Sequence, residues 1–357
     1  MKIITVIGAR PQFIKASALS REINKNKNIN EIIIHTGQHY DSNMSDIFFD
    51  ELEIPKPKYN LGIGGGTHGQ NTGRMIEGIE NILIAEKPDY LIVYGDTDST
   101  LAGALAAVKI HIPVIHIEAG LRSFNKRMPE EINRILTDNS SKLLFTPTET
   151  AVNNLLNEGF NKNNIFNVGD IMFDTALYFG KKADEESNII NKLNIENNNY
   201  YLVTIHRQEN TDDLKRLSNI FKGLNKLSNI NKIVLPLHPR TKKKISEYNL
   251  EHLLNNIIIT EPLGYLDMVK LEKNAKGIIT DSGGIQKEAF FYSVPCFTLR
   301  DETEWIELVN LEVNTLINNN ENMYESIIKA KQNSDNFSKS IYGVGNTSQL
   351  IIEKLIS

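Results

Sequence analysis

The chain has almost none of the residues that staple small folds. Its 357 residues hold one cysteine, Cys296, and one tryptophan, Trp305. A single thiol excludes an intrachain disulfide and a cysteine-based structural zinc site; a small buried thiol is the expectation. Neither charge sign dominates. Lys and Arg number 39 against 44 Asp and Glu, a net charge of -5, so bulk attraction to nucleic acid or to an anionic membrane is not expected. No segment reaches the ~18 consecutive apolar residues of a membrane span. The opening "MKIITVIGARPQF" carries one lysine and a short apolar run broken by Gly-Ala-Arg-Pro. It reads as a strand and turn, not a signal peptide. A cytoplasmic protein with neither nucleic-acid nor membrane partners is expected.

What is present is ordinary globular composition, 40% apolar and 23% charged, in a chain long enough for two cores. Short Ile/Val-rich runs recur, each followed by a helical pattern: "KIITVIG", "EIIIHTG", "DYLIVYGD", "IPVIHIEAG", "KLLFTP" and "NIFNVGD". Without strict alternation they suit strands covered on both faces. A polar, Asn-rich stretch follows, expected to be a solvated loop. A second series then begins: "YYLVTIHR", "KIVLPLHP", "NIIITEPL", "GIITDSGG" and "VPCFTLRD". Leu214, Leu217, Phe221, Leu224 and Leu227 fall on one face of a helix between its first two strands. Strand alternating with helix means an α/β chain with two doubly wound, Rossmann-like parallel sheets. The expected division is residues 1–170, a connecting segment 171–199, residues 200–345, and a terminal helix 346–357 capped by Asn346 or Thr347.

In open parallel sheets ligands sit beyond the carboxyl ends of the strands. The polar residues that follow the strands are Arg10 and Lys15, Gln38 and His39, Asp96, Glu118 with Arg122, His206 with Arg207, His238 with Arg240, and Asp281 with Ser282. Carboxylates from the first half and histidines from the second are expected to face each other across a cleft. In "ITDSGGIQKEA" an apolar strand stops at Ser282-Gly283-Gly284 and turns into a helix. Glycines there let backbone approach a ligand, and the helix start offers unpaired N–H groups to a diphosphate. Glu288, about one turn on, is placed for a ribose diol. The alternative is a plain tight turn with a capping serine.

Other polar residues have simpler readings. Asp96 in "GDTDST" serves as a helix cap or, with Asp98, as half of an Asp-x-Asp metal motif. His116 inside its strand reads as a satisfied core histidine. Glu130 and Glu131 in "MPEEINR" suit the first turn of a helix. "LGIGGGTHG" lacks a preceding strand and the right glycine spacing, so NAD is rejected; a loop near the cleft is expected.

Together, "GARPQFIK", "HTGQHYD", "GDTDST", "HIEAGLRS", "MPEEINR", "TPTET", "THRQEN" (here Thr204-Ile205-His206-Arg207-Gln208-Glu209-Asn210), "PLHPR" and "TDSGGIQKEA" span nearly the whole chain. In this order they resemble the non-hydrolysing UDP-N-acetylglucosamine 2-epimerases. The resemblance implies a glycosyltransferase-B type fold, its active site between the domains and its last helix packed back on the first domain. It implies that Asp96, Glu118, Glu130 and His206 act at the reacting sugar. It implies that Arg10 and Lys15 lie near the phosphates or sugar, and that Ser282, Gly283, Gly284 and Glu288 hold UDP, with His238 beside them. It implies a homodimer, a UDP-sugar as the partner, no cofactor and no metal, and a product destined for surface polysaccharide.

The chain departs from many bacterial members at Gln208 and in "GIGGGTHGQNTGR", where those members build an allosteric site for a second substrate molecule. The resemblance does not carry that regulation over. Trp305 stands where most members have arginine. "HGQNTGR", "SFNKRMPEEINR" and "TEWIELV" are similar to relatives acting on UDP-2,3-diacetamido-2,3-dideoxyglucuronic acid, and some of these features to archaeal UDP-N-acetylglucosamine epimerases. The expected reaction is inversion at C2 through elimination of UDP to a 2-acetamidoglucal, followed by re-addition. The rival readings are the diacetamido-uronate epimerase, a UDP-sugar glycosyltransferase, a hydrolysing epimerase and a non-catalytic sensor.

Overall fold

The computed structural model describes residues 1–38, 51–318, 322–330 and 333–356; His39 and the rest of "HTGQHYD" beyond Gln38 lie outside them. The chain falls into two compact units, Met1–Thr175 with Ser340–Ser357, and Ala176–Lys339. No helix among the described residues is long and apolar enough to cross a membrane.

In the first unit the apolar runs become β1 (Lys2–Ile7), β2 (Asn30–His35), β4 (Tyr90–Tyr94), β5 (Val114–Ile117), β6 (Leu143–Thr146) and β7 (Ile165–Asn167), joined by the short β3 (Tyr59–Asn60). They form one parallel sheet in the order β3-β2-β1-β4-β5-β6-β7. Successive side chains of a strand point to opposite faces. Ile3 and Ile4 are both 0% exposed, so helices cover the sheet on both sides. On one side Met75, Ile79 and Leu83 of helix His68–Glu86 and the alanines of Asp98–Lys109 meet Ile4, Val6, Ile34 and Val93. The terminal helix Thr347–Ile356 packs on Arg10–Asn24 in this same unit. Its first N–H groups are taken from outside: Asp174 accepts from Thr347 at 3.0 Å and from Ser348 at 2.7 Å. Thr347 turns its hydroxyl to the Val168 carbonyl instead.

The second unit repeats the plan with β8 (Tyr200–Thr204), β9 (Lys232–Pro236), β10 (Ile258–Thr260), β11 (Gly277–Thr280), β12 (Cys296–Thr298) and β13 (Asn314–Leu316). The order is β10-β9-β8-β11-β12-β13, again parallel. Helix Leu214–Ser228 lays Leu217, Ile220, Phe221, Leu224 and Leu227 on this core. Leu214, expected on the same face, is 52% exposed. It is the first helical residue after the cap Asp213 and overhangs the packed surface. The Asn-rich stretch is partly helical, at Ile189–Lys192, and then uses Asn194 and Asn198 in left-handed conformation, which Asn adopts more readily than most residues. Cys296 is buried, and that burial pushes its thiol up to about 12.

Candidate functional site

In both sheets the strand order reverses between two neighbours, β1 and β4 in the first unit and β8 and β11 in the second. Helices leave a doubly wound sheet on opposite sides at such a point, which opens a crevice beyond the carboxyl ends. The candidate residues gather there.

In the first unit Arg10 opens its helix beside the switch point, exposed. Gln12 shapes the turn before it. Its side-chain carbonyl accepts from Gly8 at 2.8 Å and Ala9 at 3.1 Å, and its amide donates to the Tyr94 carbonyl at 3.1 Å. One turn on, Lys15 pairs with Glu118 at the end of β5. Glu118 is a left-handed non-glycine residue, φ 71°, a conformation that costs about 1–2 kcal/mol for a residue with a Cβ. Its N–H and that of Ala119 both donate to the Phe145 carbonyl. Gly95, φ 63°, makes room for the pair: a Cβ there would sit 3.1 Å from Glu118 Oε2 and 3.2 Å from Lys15 Nζ.

Asp96 follows Gly95 and pairs with Arg134. Arg134 also holds Glu131 at 3.0 Å. Sequence reading left Arg134 unmarked, although it sits four residues after Glu130 and three after Glu131, a helical neighbour spacing. The two glutamates part company in the structure. Glu131 is buried and accepts from the N–H groups of Ser123 and Phe124, each at 2.9 Å, which folds the loop before the helix. Glu130 is exposed at the second position of that helix. The loop's other end is fixed by Arg122, which bonds Glu158 through two 2.7 Å contacts and reaches Asp138 at 2.8 Å. His116 is fully buried, with Nδ1 2.6 Å from Asp138 and Nε2 2.7 Å from the Gly95 carbonyl, the core histidine its strand position suggested.

Asp98 is committed elsewhere than Asp96. Its carboxylate takes Asn133 Nδ2 at 3.1 Å and His68 Nδ1 at 2.7 Å. His68 opens the helix that grows out of "GIGGGTHG", with Thr67 and Gln70 as reciprocal caps. The glycine-rich segment is thus a loop and a helix start.

In the second unit Asp281, fully buried, joins β11 to the turn after β8. It accepts the N–H of His206 at 3.0 and 3.1 Å, that of Arg207 at 3.0 Å and the Asn210 amide at 3.1 Å. His206 Nδ1 lies 3.0 Å from the same carboxylate. A carboxylate only accepts, so Nδ1–H donates to it and Nε2 is left as the nitrogen the ring can offer. Burial opposes the charge on Asp281. The bonds from His206, Arg207 and Asn210 outweigh it and hold the carboxyl below its ordinary range. His238 caps helix Pro239–Glu247, its Nδ1 accepting from Arg240 N–H at 3.2 Å, and its ring lies 5.7 Å from that of His206. Burial first, then the charge of His206, lowers its pKa, so it is neutral near pH 7 and offers Nε2–H.

Ser282 sits at the N-cap of helix Gly283–Phe291, yet its hydroxyl makes no capping bond. Among the described residues beyond its own helix, a Cβ at Gly284 would meet nothing within 4 Å, whereas one at Gly283 would lie 2.3 Å from Glu304 Oε1. The helix start is therefore open on the Gly284 side and occupied on the Gly283 side. Glu288 is buried further along the same helix. The arrangement offers backbone N–H groups and a hydroxyl to an anion, a carboxylate-oriented imidazole, and in the other unit two carboxylates each held by a cation.

A family model described as UDP-N-acetylglucosamine 2-epimerase matches residues 21–356. A UDP-N-acetylglucosamine 2-epimerase homolog of Methanococcus maripaludis is 52% identical over 99% of each chain. A UDP-2,3-diacetamido-2,3-dideoxy-D-glucuronate 2-epimerase of Pseudomonas aeruginosa is 51% identical over 99% of each. The structure of Methanocaldococcus jannaschii UDP-GlcNAc 2-epimerase in complex with UDP-GlcNAc and UDP is 46% identical with a TM-score of 0.88, covering 100% of this chain and 99% of that one. The two doubly wound units have the glycosyltransferase-B type fold expected from the sequence. With its motifs in order and the match running through both units, the chain belongs to the UDP-N-acetylglucosamine 2-epimerase family.

Proposed function

We propose that the protein is a non-hydrolysing UDP-N-acetylglucosamine 2-epimerase that interconverts the gluco and manno forms of the UDP-sugar. The observation that carries this reading is the pairing of Glu118 with Lys15 and of Asp96 with Arg134 at the ends of neighbouring strands. Such carboxylates, oriented by cations, suit proton transfer at a sugar carbon.

The C2 hydrogen of an N-acetylhexosamine is not acidic, because no carbonyl adjoins it on the ring. Loosening the C1–O bond to UDP makes C1 electron-poor and C2–H removable. A carboxylate takes the proton, the C2–H electron pair forms the C1–C2 double bond, and the C1–O pair leaves with the β-phosphate. UDP and a 2-acetamidoglucal result. The reverse steps, with a proton delivered to the other face of C2, give the epimer. Asp96, Glu118 and Glu130 supply base and acid. Arg10, Lys15 and His206 balance the charge of the departing diphosphate. Ser282, Gly283, Gly284, Glu288 and His238 hold UDP. The reading extends to a cytoplasmic homodimer that supplies a surface-polysaccharide precursor.

The 51% identity to the Pseudomonas aeruginosa enzyme favours a second substrate for the same chemistry, the diacetamido-uronate. One assay tests both: each UDP-sugar is incubated in heavy water and followed by NMR. Deuterium at C2 with UDP still attached is expected for the true substrate. Free sugar, UDP release only with an acceptor, or binding without exchange of either substrate overturns the reading in favour of a hydrolase, a transferase or a sensor.

A further inference from the structure

Trp305, the chain's single tryptophan, is buried at 5% exposure against the helix that starts at Gly283. Its indole Nε1–H donates to the Gly283 carbonyl at 3.0 Å. The Lys287 ammonium lies 4.2 Å from the centre of its ring. Its backbone N–H bonds the Thr303 hydroxyl at 3.2 Å, and that hydroxyl bonds Gln286 at 2.7 Å. Gly283, Gln286 and Lys287 stand at i, i+3 and i+4, one face of the helix. Gly284, a residue further round, looks into open space. The segment around Trp305 thus straps one face of the first turn and leaves the other for a ligand.

We infer that Trp305 is a positioning residue for the diphosphate: it fixes the Gly283 carbonyl and Lys287, so the N–H groups of the turn are aimed before the ligand arrives. Binding that needs no ordering of the turn keeps more of its interaction energy. The inference rests on the reading that this turn holds UDP.

The test compares UDP with uridine, which lacks phosphate. Trp305→Phe keeps an aromatic ring and loses the N–H donor. Its affinity for UDP, measured by calorimetry, is expected to fall about tenfold, the size of one hydrogen bond. Its affinity for uridine, measured by ligand-observed NMR, is expected to stay unchanged. A merely structural role would weaken both alike. If the variant does not fold, Thr303→Val cuts the tie to Gln286 and carries the same comparison. Wild-type protein that binds no UDP overturns the reading of the turn itself. Wild-type protein that binds UDP, with a variant that binds it equally well or loses uridine by the same factor, overturns the role of Trp305 alone.

Discussion

His206 Nδ1 lies 3.0 Å from Asp281 Oδ1, and the carboxylate that orients the ring also accepts the backbone N–H of His206 itself. One buried group therefore sets both where the imidazole sits and which nitrogen it presents. Asp281→Asn puts an amide NH₂ among donors and removes the acceptor for Nδ1–H. Turnover is expected to fall about 10²–10⁴-fold, the range of a misassigned acid or base, and stability by about 1–3 kcal/mol for the unsatisfied groups. The pH dependence follows from the lowered carboxyl. Wild-type stability from Asp281 is fully present above its ordinary value of 3.8 and is lost as pH falls through the lower folded value. Acid unfolding of the variant should lack that loss. Equal turnover in the two proteins would remove His206 from the chemistry.

The carboxylates of the first unit are tested by isosteres. Asp96→Asn and Glu118→Gln are each expected to reduce turnover by orders of magnitude, measured where both are folded. Their stabilities should differ. The side chain of Asp96 is 31% exposed and that of Glu118 only 7%, and Arg134 keeps Glu131 at 3.0 Å when Asp96 is neutralised, so removing charge from the more buried Glu118 lowers the melting temperature more. Near-normal activity in either variant would rule out its assignment.

Gly283 and Gly284 separate packing from ligand approach. Alanine at Gly283 must displace the Glu304 carboxylate, the mobile end of a side chain bonded to Arg300 at 2.7 Å. Alanine at Gly284 meets no atom within 4 Å among the described residues beyond its chain neighbours and its own helix backbone. Gly284→Ala is therefore expected to melt like wild type and to bind UDP at least about tenfold more weakly, because its methyl enters the space the diphosphate uses. Calorimetry with UDP beside a thermal melt checks both halves. Unchanged affinity would mean the diphosphate does not approach this face.

The long central strands were legible because strands covered on both faces are continuous Ile/Val runs, as in "KIITVI". β3 "YN" and β13 "NTL" were not, being short edge strands without such a run. The polar residues after the strands were legible from the rule that ligands sit at carboxyl ends. What they touch was not. Neighbouring helix residues differ by about 100° in direction, so no pattern in "PEE" says that Glu131 folds the loop while Glu130 faces solvent. The pairs His68–Asp98 and Lys15–Glu118 join residues 30 and 103 positions apart, a distance that only the packed sheet and its helices close.

Glu31, at the start of β2, carries the last prediction. The Thr5 hydroxyl donates to its Oε1 at 2.6 Å. Its Oε2 is buried and makes no hydrogen bond of normal geometry among the described residues. Burial raises its pKa above the ordinary 4.5, against the opposing effects of the Thr5 and Ser20 hydroxyls. A carboxyl whose folded pKa is raised contributes stability below its unfolded value and loses it as pH rises through the folded value. Glu31→Gln keeps the acceptor for Thr5 and cannot ionise. Its advantage should be small near the ordinary carboxyl value of 4.5 and grow as pH rises above it, read as a melting temperature that climbs above wild type by about 2–4 °C for each kcal/mol gained in a unit of this size. Melting curves of both proteins across that rise in pH decide it. A gap that is constant with pH, or that narrows as pH rises, would mean the carboxyl is already ionised in the folded chain.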